Sequence, residues 1–371
     1  MVKLETDAKQ RILEQYDDRK RVYQSFLNEI KHQITSILQT SQVTCNAITS
    51  RLKTIESLGD KIERKQGKYT DLSEVTDIAG VRIITYYSAD VDKIADIIES
   101  EFNVDHENSI DKRESLEPDR FGYCSVHYVV SMNAERLALR ECRAYEGMKC
   151  EIQIRTVLQH AWAEIEHDIG YKSEIAIPKE MRRSFSRIAG LLEIADKEFD
   201  EIRGNLIQYK NEVQERIEND DVLDCEFDAV WLDVLLETNS NLKRLIDHIQ
   251  NLTGVQVEEI EEGHYYVSTI ERLQWFGFKT VRQVVEMIAQ KTDIAIKIAT
   301  EKLKDYKDKE DPGKIRKTIA YFYLCYALLL SQNYSENEIY KYLLFANIGE
   351  PGTQEEIAHE LYDLGKKIEI D

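Results

Sequence analysis

The chain is short of positive charge, of paired cysteine, of long apolar runs and, near its start, of proline, and each shortage excludes something. Its 371 residues hold 49 Lys and Arg against 69 Asp and Glu, a net charge of −20. Sequence-blind binding to nucleic acid or anionic membrane relies on surplus cations, so neither a membrane partner nor a broad nucleic-acid surface is expected, although a local basic site stays open. The six cysteines, at 45, 124, 142, 150, 225 and 325, form no CxxC pair and no zinc-ligand spacing, which points to buried free thiols in a reducing compartment. The first thirty residues are charged throughout, unlike a secretory signal. The longest apolar run, residues 319–330, falls short of the ~20 residues that span a bilayer. Together these features predict a soluble, cytoplasmic protein. There is no internal repeat, low-complexity tract or arrangement resembling a nucleophilic triad.

What is present begins with helix. Residues 5–66 lack proline and contain one glycine, Gly59, while Ile12, Tyr16, Tyr23, Phe26, Ile30, Ile34 and Leu38 recur at three- and four-residue steps, the period of an amphipathic helix. Within this region residues 51–68 place six basic residues against three acidic ones and are read as a basic helix. Residues 76–87 are apolar and β-branched behind Asp77, the pattern of a core strand with an acid at its mouth. Helical spacing returns over 90–101, a polar loop is expected over 103–120, and residues 121–130 form a second strand in which Gly122 permits close backbone approach.

The third strand, residues 149–155, changes period as it ends. Glu151, Gln153 and Arg155 lie two apart and share one face, while Ile152 and Ile154 turn into a core. A helix follows, with His160, Glu164, His167 and Tyr171 on one side and Leu158, Trp162, Ile165 and Ile169 expected to pack. The His160, Glu164, His167 spacing lacks the HExxH pattern of a zinc helix. Residues 180–216 read as helix with Met181, Phe185, Ile188, Leu191, Leu192 and Ile194 inward. Beyond an acidic stretch at 217–224 the composition shifts, and residues 220–371 hold 17 Lys and Arg against 29 Asp and Glu. Helical segments are expected near 229–252, 268–306, 314–332, 335–346 and 353–368, with a short hairpin around 255–267. Tyr321, Tyr323, Tyr326, Tyr340 and Tyr342 read as helix-core packing.

Cations, carboxylates at strand ends and a Gly-Tyr turn are the parts that phosphoryl or pyrophosphoryl transfer uses. Their order is more specific. Arg51-x-Lys53-x-x-x-Ser57-x-x-x-Lys61, Asp77-Ile-Ala-Gly-Val-Arg82, Gly122-Tyr123-x-Ser125-Val-His127 and Glu151-Ile-Gln153-Ile-Arg155-Thr closely resemble the RelA/SpoT-type synthetase domain over about residues 45–175. That family moves the β,γ-pyrophosphate of ATP onto the 3′-hydroxyl of GDP or GTP, giving the alarmones ppGpp and pppGpp with AMP as leaving group.

The resemblance implies an α+β fold: a mixed-sheet, nucleotidyltransferase-like domain flanked by helices, followed by a mostly α-helical C-terminal domain. The expected divisions are a helical segment at 1–44, the pyrophosphokinase domain with trailing helices at 45–218, and a regulatory or neutralising domain at 219–371. It also implies roles. Arg51 and Arg82 would sandwich adenine by planar stacking, and Lys53, Ser57 and Lys61 would bind phosphates. Asp77 would ligate Mg²⁺, while Glu151 would share the metal or accept the 3′-hydroxyl proton. Tyr123 would stack on the acceptor base, with His127, Gln153 and His160 on the acceptor side. Cys124 departs from the basic or amide residue many members carry beside the tyrosine.

The wording around His160-Ala-Trp162-Ala-Glu164 is similar to a subgroup of single-domain synthetases that includes toxins. The alternatives are therefore a toxin acting on the 3′ end of tRNA or making adenosine alarmones, with the C-terminal domain as antitoxin or phage sensor, and a catalytically silent nucleotide-binding regulator. His167-Asp168 lacks HDxxED surroundings, so no hydrolase domain is expected. A homo-oligomer is compatible with the sequence.

Overall fold

Polar and apolar residues alternate along the central strands, and that alternation gives the sheet one buried and one functional face. The computed structural model describes residues 2–65, 68–111, 125–172, 179–219, 221, 224–258, 264–304, 306 and 315–368. They divide into two compact units, Met1–Gly204 and Asn205–Asp371.

The first unit opens with α1 (Val2–Thr40), then β1 (Ala47–Leu52), α2 (Ile55–Arg64), β2 (Ala79–Thr85), α3 (Ser88–Glu101), β3 (Phe102–Val104) and β4 (Ile110–Asp111). It continues with β5 (Val126–Met132), a short α4 (Ala134–Leu137), β6 (Cys150–Thr156), α5 (Val157–Lys172) and α6 (Lys179–Glu218), whose residues after Gly204 belong to the second unit. The strands form a six-stranded sheet of order β1-β2-β6-β5-β3, with β4 also on β5. Only β2 and β6 run parallel; the other pairs are antiparallel. This mixed sheet with flanking helices is the expected α+β class.

Val81, Ile83, Ile152, Ile154, Val126 and Val130 fill the buried face, and α1 contributes Ile12, Tyr16, Phe26, Ile30, Ile34 and Leu38 to the same core. The periodicity of α1 therefore reports its packing, as predicted. Each such side chain stabilises the unit by about 1.5–3 kcal/mol relative to exposure.

Three sequence expectations are corrected. Arg51 is not on a basic helix: residues 47–52 form the edge strand β1, and α2 starts only at Ile55, behind the N-cap Thr54. Ile165 and Ile169 on α5 are exposed rather than packed, as are Met181, Ile188, Leu191 and Ile194 on α6; periodicity gives a helix and its stripe but not whether a neighbour covers it. The hairpin around 255–267 is absent among the described residues. Instead β7 (Val257–Glu258) pairs in parallel with a distant strand, β8 (Ile315–Arg316), and a parallel pair cannot be closed by a tight turn.

The second unit is otherwise helical: α7 (Ala229–Thr238), α8 (Ser240–Thr253), α9 (His264–Trp275), α10 (Val281–Leu303), α11 (Ile319–Ser331), α12 (Glu336–Phe345) and α13 (Gln354–Lys367). Tyr321, Tyr323, Tyr326 and Tyr342 are buried in its core and Tyr340 packs at the edge, so the tyrosine cluster is core, as read. The apolar run lies in α11, and among the described residues no helix is long and apolar enough to cross a membrane.

Candidate functional site

The register brings the polar positions of four strands to one face. Arg51 pairs with Gly80, Gly80 with Glu151 and Glu151 with Val129; one step along, Thr49, Arg82, Gln153 and His127 form the next row. Gly80 has no side chain, and a Cβ there would meet only the Arg51 and Glu151 carbonyl oxygens at 3.6 and 3.9 Å. Its absence keeps the floor open. Above this floor lies a cavity of about 490 Å³, bordered by Arg51, Lys53, Ser57, Asp77, Arg82, Glu151 and Gln153.

Local contacts fix the cationic wall. The Lys53 amide donates to Ile78 O at 2.9 Å, and the Lys53 carbonyl accepts from the buried Tyr16 hydroxyl of α1. The backbone at Lys53 is thus held between the sheet and α1. Thr54 then caps α2 by accepting the Ser57 amide at 3.2 Å, which sets Ser57 in the first turn and Lys61 one turn later. Both ammonium groups converge on Asp77, in the turn before β2: Lys53 Nζ lies 2.7 Å from Oδ2 and Lys61 Nζ 2.7 Å from Oδ1. Burial pushes the Asp77 carboxyl up, but the two lysines outweigh it and hold the group below its ordinary range.

Glu151 stands at the centre of a second network. Gln153 Nε2 donates to Glu151 Oε2 at 2.8 Å, Arg155 Nη2 donates to Gln153 Oε1 at 2.6 Å, and His127 Nδ1 lies 3.3 Å from Glu151 Oε1. Burial raises the Glu151 carboxyl; His127 and Gln153 more than offset this, and the nearby Asp77 charge opposes them, leaving a net lowering. Two carboxylates in one pocket are therefore both held ionised. His127 Nε2 is buried with no hydrogen-bond partner among the described residues.

The helix α5 meets the site at Arg82. Glu164 Oε1 accepts from Arg82 Nη1 at 2.9 Å, and His160 Nδ1 lies 3.8 Å from the same oxygen. Burial first, then Arg155, lowers the His160 pKa, so the ring favours its neutral form. At the junction of β6 and α5, Thr156 Oγ1 donates to Asp196 Oδ2 of α6 at 2.8 Å and accepts the Gln159 amide at 3.1 Å.

Of the residues expected from sequence, Arg51, Lys53, Ser57, Asp77, Arg82, Glu151 and Gln153 border the cavity. Lys61 and His127 reach it through their carboxylate partners, and His160 sits beside Glu164. Tyr123 lies outside the described residues. Sequence reasoning gave no role to Glu164 or to Asp196, whose partners are 82 and 40 residues away; no local signal could have paired them.

Asp77 and Glu151 are the side chains that could hold a metal. Among the described residues no group of three or more His, Cys, Asp or Glu is arranged for one. Magnesium, however, is usually held by one or two carboxylates, with phosphate oxygens and water completing its shell. Two ionised carboxylates, with Asp77 near enough for its charge to act on Glu151, next to cations suited to phosphate, fit that ion.

Residues 50–176 match the family described as "Region found in RelA / SpoT proteins". The chain is 30% identical over 162 residues to GTP pyrophosphokinase YjbM of Bacillus subtilis, covering 43% of this chain and 72% of that protein. It is 30% identical over 151 residues to GTP pyrophosphokinase YwaC of the same organism, covering 40% and 69% respectively. Among solved structures, the small alarmone synthetase 2 of Bacillus subtilis is 26% identical with a TM-score of 0.44, covering 51% of this chain and 98% of that one. With nearly three quarters of YjbM covered at 30% identity, and a matched region that holds every residue lining the cavity except Thr49, the chain belongs to the RelA/SpoT family of synthetases.

Proposed function

We propose that the protein is an ATP-dependent 3′-pyrophosphotransferase that uses GDP or GTP as acceptor and releases AMP. The observation that carries this reading is one cavity in which two ionised carboxylates, Asp77 and Glu151, face Lys53, Ser57, Arg51 and Arg82, in a chain whose relatives are GTP pyrophosphokinases.

Arg51 on β1 and Arg82 on β2 stand on neighbouring strands, and their planar groups suit the two faces of adenine. The Ser57 turn at the start of α2 offers a hydroxyl and the positive end of a helix to phosphate, while Lys53 and Lys61 supply the counter-charge. Magnesium held by Asp77 and Glu151 would neutralise phosphate charge. The acceptor 3′-oxygen attacks the β-phosphorus, the bond from that phosphorus to the α,β-bridging oxygen breaks, AMP leaves with the bridging oxygen, and the hydroxyl proton passes to a base. Glu151, ionised and held by Gln153 and His127, is suited to receive it. His127, Gln153 and the neutral His160 are assigned to the acceptor side. Residues 219–371 are assigned a regulatory or neutralising role, because the second unit has its own core and the cavity is lined, among the described residues, by the first.

Product stoichiometry tests the chemistry: one AMP is expected per pyrophosphorylated acceptor. Release of ADP instead would mean transfer of the γ-phosphoryl group alone and would overturn the reading.

A further inference from the structure

We infer that Arg155 is a positioning residue for the reaction, acting on Glu151 through the amide of Gln153; this rests on the functional reading just given. A glutamine amide can present either its oxygen or its NH₂ to a neighbour. Facing a carboxylate, only the NH₂ orientation is attractive. Gln153 adopts it, with Nε2 2.8 Å from Glu151 Oε2, and its other end is held by Arg155 Nη2, 2.6 Å from Oε1. A guanidinium has donors and no acceptor, so it can bind only the amide oxygen. Glu151 and Arg155 therefore favour the same amide orientation, and Arg155 holds the far end of Gln153 so that its NH₂ stays on Glu151.

Burial makes this a fixed device rather than a surface contact. Arg155 is 3% exposed, on the same strand and the same face as Gln153 and Glu151. Alternate positions of one strand keep the three groups in line, and a charge-assisted bond at this depth is short and strong. With His127 on the opposite carboxylate oxygen, the carboxylate has a partner on each side and its plane is set. Arg155 borders no part of the cavity and touches neither nucleotide in the proposed mechanism, which separates it from Arg51 and Arg82.

The test combines a substrate-free signature with a mutant cycle. In ¹⁵N-labelled full-length protein the side-chain NH₂ signals of Gln153, identified by their loss in Gln153→Leu, should be displaced from ordinary glutamine positions and slow to exchange. Arg155→Met should collapse them toward those positions, and Arg155→Lys, which keeps a cationic donor, should restore part of the displacement. In transfer assays Arg155→Met should lower kcat about 10–100-fold, the usual cost of losing a group that orients a ligand or catalyst, with KM for ATP within about twofold. In the Gln153→Leu background the same change should add almost nothing. Arg155→Gln runs alongside, as a neutral polar occupant of the site if the methionine variant does not fold. Unchanged Gln153 signals in the folded Arg155 variants, or losses that multiply in the double variant, overturn the inference. If wild-type protein shows no transfer while the Gln153 signals respond as described, the functional reading fails and the positioning contact stands without it.

Discussion

Replacing Asp77 with Asn separates the roles of charge and shape at the cavity. The carboxylate is 22% exposed and engages two ammonium groups, each at 2.7 Å. Asparagine keeps the size and one carbonyl acceptor, but its NH₂ faces the second lysine. A hydrogen bond to a charged group contributes about 1.5–3 kcal/mol, and part of the loss is offset because a buried charge is also removed. The net destabilisation should be about 2 kcal/mol, or a fall in Tm of about 4–8 °C for a unit of this size, measured by calorimetry. The pH dependence follows from the lowered folded-state pKa: the stabilisation is fully present above the unfolded value of about 3.9 and is lost as pH falls through the folded one. The wild-type advantage should therefore be constant from pH 5 to 8 and vanish in strong acid. Transfer should drop about 1,000-fold, equivalent to some 4 kcal/mol of charge stabilisation. A folded Asp77→Asn protein with wild-type turnover would refute the placement of the carboxylate at the reacting phosphates.

Other positions give independent checks. Glu151→Gln should fold with a Tm near that of wild type yet lose transfer by about 10²–10⁴-fold; a retained rate means the proton goes elsewhere. Glu164→Gln weakens an Arg82 pair that is about one-third and one-half exposed, and exposed pairs contribute at most about 1 kcal/mol. KM for ATP should therefore rise no more than about fivefold at constant kcat, and a larger change in kcat would place Glu164 in the chemistry. Asp196 is buried beside Thr156 and its carboxyl is pushed up to about 6, by burial first and by Asp200 also. A raised folded-state pKa means its contribution to stability is greatest below about 4 and is lost as pH rises through about 6. Asp196→Asn should thus raise Tm at pH 8 relative to wild type, and a gain that persists undiminished at pH 4 would contradict the assignment.

The sequence made the centre of the fold legible and left its borders obscure. Residues 79–85 read as a core strand from their apolar, β-branched run, and residues 150–154 alternate so regularly that the buried and polar faces could be assigned from period alone, with Glu151 and Gln153 falling where that period places them. Residues 47–52 could not be read this way. Most of β1 is half or fully exposed at a sheet edge, so no apolar face marked it, and it lay among helical spacings. The stripe on α6 was visible but its exposure was not, since Ile188 and Leu191 have the same pattern whether covered or bare. Partners distant in sequence were least legible. Nothing near Arg82 announces Glu164, nothing near Thr156 announces Asp196, and the β7–β8 pair joins segments more than fifty residues apart.

The most direct measurement follows label. Full-length protein with Mg²⁺ and ATP labelled in its γ-phosphate is offered GDP, GTP, ADP or bulk tRNA in parallel. Label should appear in the 3′-pyrophosphate of the guanine nucleotide with equimolar AMP. Label found in tRNA alone would contradict the acceptor, and label transferred to none of the four would contradict the enzyme.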